Sequence, residues 1–329
     1  MVDFKKMLAD KKFYSYERDG ITQGLIGMWL ECRQKAKYFI QGYSGKGSSF
    51  ALTNGTIGHG VLQYVYDGYR TGKIKTIPTR LEVKKYTAVV EKIFMKENPR
   101  ASKRTLEDLD LALMYAEALM PLYFQRWKDD FKKYQWLKVE SAFKLPFTTS
   151  DGRKTFIRGK MDGAFKSNGN WLFESKFKSI INDNDLVDTL GFDTQCMVYL
   201  WALMTGYKLN PQGVLYNVVR RPGLKIKKGE ALVQFSKRVQ EDIEARPEWY
   251  FYRYEIFIDK DDIKKWTTTL DAMVMEFMDW CDGTAATYRN TGACVTKYGR
   301  CWGLTTCADG NFHTMEKRPT VFRELAEDL

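Results

Sequence analysis

The sequence predicts an α/β protein built on a mixed sheet, and three features carry that prediction. The first 135 residues read mainly as helices. The chain then switches to strand-like alternation at Trp136. Beyond residue 184, helical and strand periods interleave, the pattern of a sheet flanked by helices.

Residues 1–20 are polar and charged and read as an extended or loosely packed lead-in. Residues 21–41 read as one helix, with Leu25, Met28, Trp29, Cys32 and Ala36 on one face. The loop after Gly42 contains Gly45-Lys46, but Gly47 stands where a phosphate-binding loop needs Ser or Thr, so that motif is rejected. Residues 56–71, 79–97 and 105–134 read as further helices. Trp136–Phe147 and Lys154–Phe165 read as strands, and Ser167-Asn-Gly-Asn as a hairpin turn into a third strand, Trp171–Phe177. A helix over 184–206, a strand Gly213–Val219, a helix Glu230–Ala245, a strand Trp249–Ile258 and a long helix Asp259–Cys281 complete the order. The expected division is a lead-in over 1–20, a helical region over 21–135, a sheet-bearing core over 136–281 and a cysteine-rich tail over 282–329, together one compact domain.

Composition narrows the class of function. Apolar residues make up 44% and charged residues 28%, which excludes a disordered or fibrous chain. The net charge is +11 and aromatics reach 15%, a balance suited to a polyanion whose bases can stack. Ordinary solubility accounts for part of that charge. No apolar run approaches the ~20 residues of a membrane span, and the start of the chain has no apolar signal core. A cytoplasmic location is therefore expected, where six cysteines are buried, metal-bound or reactive rather than paired.

The chemistry concentrates in one hairpin. A turn centred on residue 168 places Asp162 opposite Glu174, with Cβ atoms ~5 Å apart. Lys176 follows two residues on and projects from the same face. Two carboxylates that close repel unless a cation or a proton sits between them. Held with an ammonium group, they suit phosphodiester hydrolysis, in which a divalent cation polarises the phosphate and the lysine stabilises its charge. The plainer alternative is an exposed cross-strand salt bridge. His59 is one of two histidines, and a lone histidine is usually a satisfied structural residue. Gln195 and Tyr199 share a helix face, where Tyr199 could equally be core. Cys294, Cys301 and Cys307 are spaced C-x6-C-x5-C, wider than zinc modules use, whereas iron–sulfur clusters accept thiolates far apart in sequence. Cys196 and Cys281 read as buried structural cysteines. Basic residues follow the fourth strand (Arg220, Arg221, Lys225, Lys227, Lys228), and Lys35, Lys37 and Lys178 add to them. Such residues track phosphates without reading sequence.

The array Asp162, eleven residues, Glu174-x-Lys176 resembles the core motif of the PD-(D/E)XK nuclease superfamily, with Met161 in place of the proline. Gly55-Thr-Ile-Gly-His59 and Gln195-Cys-Met-Val-Tyr199 resemble the flanking motifs of its RecB-like branch. One early cysteine, Cys32, with three late ones resembles the iron–sulfur version found in AddB-type and CRISPR-adaptation nucleases, although the first gap of the late trio is longer than usual. The resemblance implies a restriction-endonuclease-like core with an N-terminal helical elaboration and a C-terminal iron–sulfur staple. It implies Mn²⁺ or Mg²⁺ on His59, Asp162, Glu174 and the carbonyl of Ser175. It implies catalytic roles for Asp162, Glu174, Lys176, Gln195 and Tyr199, and a [4Fe–4S] cluster on Cys32, Cys294, Cys301 and Cys307. The implied activity is a DNA exonuclease acting on ends or single strands in recombination, repair or phage DNA processing, with a helicase or annealing protein as partner. The stretch from Val214 to Pro222 looks most like phage-encoded members. A flap or branch endonuclease and a non-catalytic DNA-end-binding scaffold are the alternatives.

Overall fold

The computed structural model describes residues 13–47, 49–99, 101–179, 183–296 and 299–325. The helical part opens with α1 (Tyr16–Asp19), a short strand β1 (Ile21–Thr22), α2 (Gln23–Glu31), α3 (Arg33–Ile40) and β2 (Tyr43–Gly45). Three long helices follow: α4 (Phe50–Arg70), α5 (Arg80–Glu97) and α6 (Lys103–Arg126), with a single turn α7 (Asp130–Lys133). The sheet strands are β3 (Gln135–Thr148), β4 (Lys154–Ser167), β5 (Gly169–Lys178), β6 (Pro211–Arg220) and β7 (Phe251–Phe257). Between them lie α8 (Asp183–Leu190), α9 (Thr194–Thr205), α10 (Leu232–Ala245) and α11 (Pro247–Tyr250). The chain closes with α12 (Lys260–Cys281), the hairpin of β8 (Val295–Thr296) and β9 (Gly299–Arg300), α13 (Leu304–Asp309) and β10 (Met315–Lys317).

The expected α/β class and mixed sheet are present. Six strands run β1-β4-β5-β6-β7, with β3 on the other edge of β4. The pairs β1–β4 and β5–β6 are parallel and the rest antiparallel. Each face is covered by helices. On one, Leu25 and Trp29 of α2, Leu200 of α9 and Phe277 of α12 meet Leu172, Val214 and Val218 of the sheet. On the other, Ile57 of α4, Leu119 of α6 and Phe235 of α10 meet Phe165, Phe173 and Leu215. Alternate residues along β5 and β6 serve opposite cores, as the two-residue period of a strand requires.

The structure corrects several element boundaries. Residues 13–20 are not loosely packed, since the rings of Tyr14 and Tyr16 are buried in the core. The helix expected over 21–41 is two helices that break at Cys32, whose backbone is extended (φ −162°, ψ 111°). The helix over 105–134 runs Lys103–Arg126 and then stops. The helix over 184–206 is interrupted after Leu190, and Asp193 restarts it by accepting the Cys196 N–H at 2.9 Å. Among the described residues, no helix is long and apolar enough to cross a membrane.

A buried ion pair joins the helical layer to the sheet. Arg253 of β7 donates to both oxygens of Asp130, at 2.7 and 2.6 Å, and both side chains are under a tenth exposed. The Tyr66 hydroxyl donates to Asp130 at 2.7 Å, and Arg253 also donates to Tyr123 at 2.9 Å. Removing one partner leaves the other charge uncompensated. Asp130→Ala is expected to destabilise the fold by about 3–5 kcal/mol, read as a lowered urea midpoint. A loss below ~1 kcal/mol would show that water or relaxation replaces the pair.

Candidate active site

The site sits where β4 and β5 part. The hairpin turns at Ser167–Gly169, as its symmetry predicts, and the ladder ends at Gly163 and Phe173. Asp162 and Glu174 are the next residues on each strand. The strands therefore open at the two carboxylates instead of pairing them. Ser175 N–H closes the opening by donating to Asp162 Oδ2 at 2.6 Å. Farther along the same edge of β4, β1 pairs with Ile157 and Arg158.

Each side chain is set by its own element. His59 lies on α4 after Gly58, and a Cβ on Gly58 would lie 2.3 Å from the Phe177 ring. Glycine is needed there because β5 and α4 approach so closely. The His59 ring packs edge-on against Phe177 at 5.4 Å. Its Nδ1 stands 3.5 Å from Asp162 Oδ2 and 3.5 Å from Glu140 Oε1. Glu140 comes from β3, between Val139 and Ser141, which pair with Gly163 and Met161. Its backbone is left-handed, at φ 45°. Its other oxygen lies 3.3 Å from Lys160 Nζ. The ligand atoms of His59, Glu140 and Asp162 all fall within 4.8 Å of one another.

Lys176 contacts Glu174 Oε1 and donates to Gln195 Oε1 at 2.8 Å. Gln195 Nε2 donates in turn to the Tyr199 hydroxyl at 3.3 Å. The structure thus brings Asp162, Glu174, Lys176, Gln195, Tyr199 and His59 to one place. An exposed cross-strand salt bridge is ruled out, since the Glu174 side chain is 1% exposed. Glu174 Oε2 is buried and has no hydrogen-bond partner among the described residues. Sequence reasoning missed Glu140. Only its distance from the motif along β3 hid it, because its register with Asp162 follows once the β3–β4 pairing is known.

Behind the site, Asn217 of β6 donates to the Ser175 hydroxyl at 2.9 Å. Its Oδ1 accepts from Tyr123 at 3.0 Å and from Arg253 at 3.1 Å. The residue beneath the carboxylates is thereby anchored to the buried ion pair.

The charges are mutually strained. Burial and then the Asp162 carboxylate push Glu174 up to about 8, and burial also raises Asp162. Burial pulls the His59 imidazole down, but Asp162, Glu140 and Glu174 prevail and hold it at about 9. Burial likewise opposes the Lys176 charge, yet Glu174 and Asp162 keep it cationic well above the usual lysine range. The bound protons and the orphaned oxygen mark a place that a divalent cation would fill. His59, Glu140, Asp162 and Glu174 offer one nitrogen and several oxygens, a set that suits Mn²⁺ and Mg²⁺.

A sequence profile described as the PD-(D/E)XK nuclease superfamily matches residues 30–301. The chain belongs to that superfamily. Its nucleases use Mg²⁺ or Mn²⁺. A candidate exonuclease from Eubacterium rectale resembles this nuclease in structure, with 15% identity, 98% of this chain and 97% of that chain covered, and a TM-score of 0.49. The protein SSO0001 resembles it at 11% identity, with 88% of each chain covered and a TM-score of 0.34. Both scores fall short of a shared-fold assignment, which rests on the profile and the topology. No curated protein sequence matches the chain.

Of the basic residues read as phosphate-tracking, Lys37 is buried at 3% exposure and is unsuited to that role. Lys35 pairs with Glu31 at 2.6 Å.

Glu174 and His59 bind protons more tightly folded than unfolded, where they would titrate near 4.5 and 6.5. Without a cation, their contribution to stability falls as pH rises, through about 8 for Glu174 and about 9 for His59. A cation competes with those protons, so its stabilisation grows over the same window. The rise in Tm on adding Mn²⁺ over EDTA is expected to be larger at about pH 8.5 than at about pH 6. A rise independent of pH would show that these groups are not the ligands.

Proposed function

We propose that the chain is a metal-dependent DNA exonuclease of the RecB-like branch. The observation that carries the reading is the convergence of His59, Glu140 and Asp162, beside a lysine held by Glu174 and Gln195. His59, Asp162, Glu174 and the Ser175 carbonyl would hold the cation. When bound, it would neutralise the scissile phosphate and make water more acidic. Lys176 stays charged and is a poor base, so its role is to stabilise negative charge developing on the phosphate. Gln195 fixes the ammonium, and Tyr199 fixes Gln195. Asp162 alone would repel a phosphate, which argues for catalysis over scaffolding.

The cysteine staple belongs to the same proposal. Cys32, Cys294, Cys301 and Cys307 are free thiols. The backbone N–H of Asn290 points at Cys32 Sγ at 3.5 Å, and Cys301 N–H donates to the Cys294 carbonyl at 2.9 Å. Burial raises the Cys301 thiol against the opposing Gly303 backbone and Lys35, with a smaller push from Cys32 and Cys294. Cys307 Sγ lies 3.7 Å from the hydroxyl of Tyr38, on the helix that Cys32 opens. Among the described residues, no three of these sulfurs stand within 4.8 Å of one another, as ligands of one ion would. The cluster is therefore proposed from the resemblance of the cysteine pattern alone. Cys196 and Cys281 are drawn into the core instead. Phage origin, a helicase or annealing partner and a place in recombination or repair are proposed from the resemblance, and a cytoplasmic setting from the sequence.

End-labelled linear single- and double-stranded DNA, and circular single strands, would be digested with Mn²⁺, Mg²⁺ or EDTA by protein purified without oxygen. Metal-dependent shortening of linear DNA is expected, with circles intact, and Lys176→Ala should lower the rate by about 10²–10³-fold. Cutting of circles would favour the flap or branch endonuclease, and binding without cutting would favour the scaffold. Iron and acid-labile sulfide are expected in the same preparation; stoichiometric zinc without iron would remove the cluster from the proposal.

A further inference from the structure

Beyond Lys176, the catalytic face of the sheet continues as a row of cations and aromatic rings. Lys178 of β5 is in register with Arg220 of β6, and Glu174 with Tyr216, which in turn faces Tyr254 of β7. Two strand spacings put Tyr254 within about 10 Å of Glu174. The rings of Tyr252 and Tyr254 lie parallel, at 7° and 6.5 Å, on a strand that ends the sheet. The Arg220 guanidinium is 3.7 Å above Trp249 and 5.4 Å from Tyr252. Lys178 Nζ lies 3.2 Å from the Tyr216 hydroxyl.

Two observations leave this face with cationic donors to spare. Among the described residues, neither Lys178 nor Arg220 forms an ion pair with a carboxylate, whereas Lys160, Lys176 and Arg253 of the same sheet do. The Arg220 guanidinium donates to the Tyr252 hydroxyl at 3.4 Å, and its Nε has no hydrogen-bond partner among the described residues. Unneutralised cations attract a polyanion, and half-buried parallel rings offer a flat apolar surface to bases. A duplex keeps its bases stacked on one another, so rings of this kind suit a strand whose bases are free.

We propose that this face is the seat of a single-stranded polynucleotide, with phosphates on Lys178 and Arg220 and bases against Tyr252 and Tyr254. The proposal rests on the nuclease reading and names its substrate as a single strand delivered across β6 and β7 to the carboxylates.

The test is binding in EDTA, where nothing is cut. Fluorescein-labelled oligo-thymidine is titrated by anisotropy against wild type, Arg220→Gln and Tyr252→Leu, each first shown to melt as wild type does. The variants should weaken single-strand binding by about five- to a hundredfold and leave duplex binding nearly unchanged. Because a core tyrosine variant can fail to fold, the unmodified chain is also photocrosslinked to 5-iododeoxyuridine-substituted single strands. Adducts are expected on Tyr252, Tyr254 or Trp249. Adducts confined elsewhere, absence of single-strand binding, or unchanged affinity in the folded variants would overturn the proposal. Equal weakening on duplex would overturn its strand preference. A chain that cuts DNA but crosslinks elsewhere loses this seat and keeps the nuclease reading. A chain that crosslinks here but never cuts keeps the seat and loses that reading.

Discussion

The contact between Arg253 and Asp130 is the constraint on which the site depends. It places a guanidinium and a carboxylate in the interior, where neither is tolerated alone. Each therefore holds the other's element in place, α7 against β7. The pair also supplies the donor that fixes Asn217, and Asn217 fixes Ser175. Ser175 in turn donates its N–H to Asp162. A run of short polar contacts thus leads from the helical layer to the first carboxylate. The apolar cores fix the layers but allow small slides; directional bonds between them do not.

A second constraint is local and electrostatic. The hairpin carries Asp162 and Glu174 up to the point where pairing would bring them face to face, and there the strands separate. The left-handed backbone of Glu140 adds a third carboxylate from the opposite edge. Such a conformation costs on the order of 1–3 kcal/mol in a residue other than glycine. Bound protons, Lys176 and Lys160 offset the repulsion. The site gives up stability to hold charges in a geometry that only a polyvalent partner relieves.

The legible parts of this molecule were those governed by short-range rules. The turn at residue 168, the strands on both sides of it and the spacing of Gln195 and Tyr199 follow from local periodicity, and the observed register agrees with them. The break at Cys32 was missed because nothing in its flanks marks it: no glycine or proline interrupts the apolar stripe there. The break before Thr194 was marked, by Gly191 and the capping Asp193, but the apolar period ran through both. Glu140 and Asn217 were invisible for another reason. Their roles exist only through β3–β4 and β5–β6 pairing, which joins residues that the chain keeps far apart. Glu140 resembles any acidic residue on a half-buried strand until its neighbour across the ladder is known.

One core of the fold contains Tyr14, Val321, Phe322 and Leu325 together with Leu25, Tyr199 and Phe277. The strand β1 completes the sheet only against β4, and β10 returns to pair with β2. A chain emerging from the ribosome can form α4 to α6 and the β3–β5 hairpins early, because those contacts are near in sequence. The face that carries α2, α9 and α12 is completed by Val321, Phe322 and Leu325, far on in the sequence. Lys176, Gln195 and Tyr199 sit on that face. A chain that stops before Val321 would thus carry the motif without all of the core that backs the site.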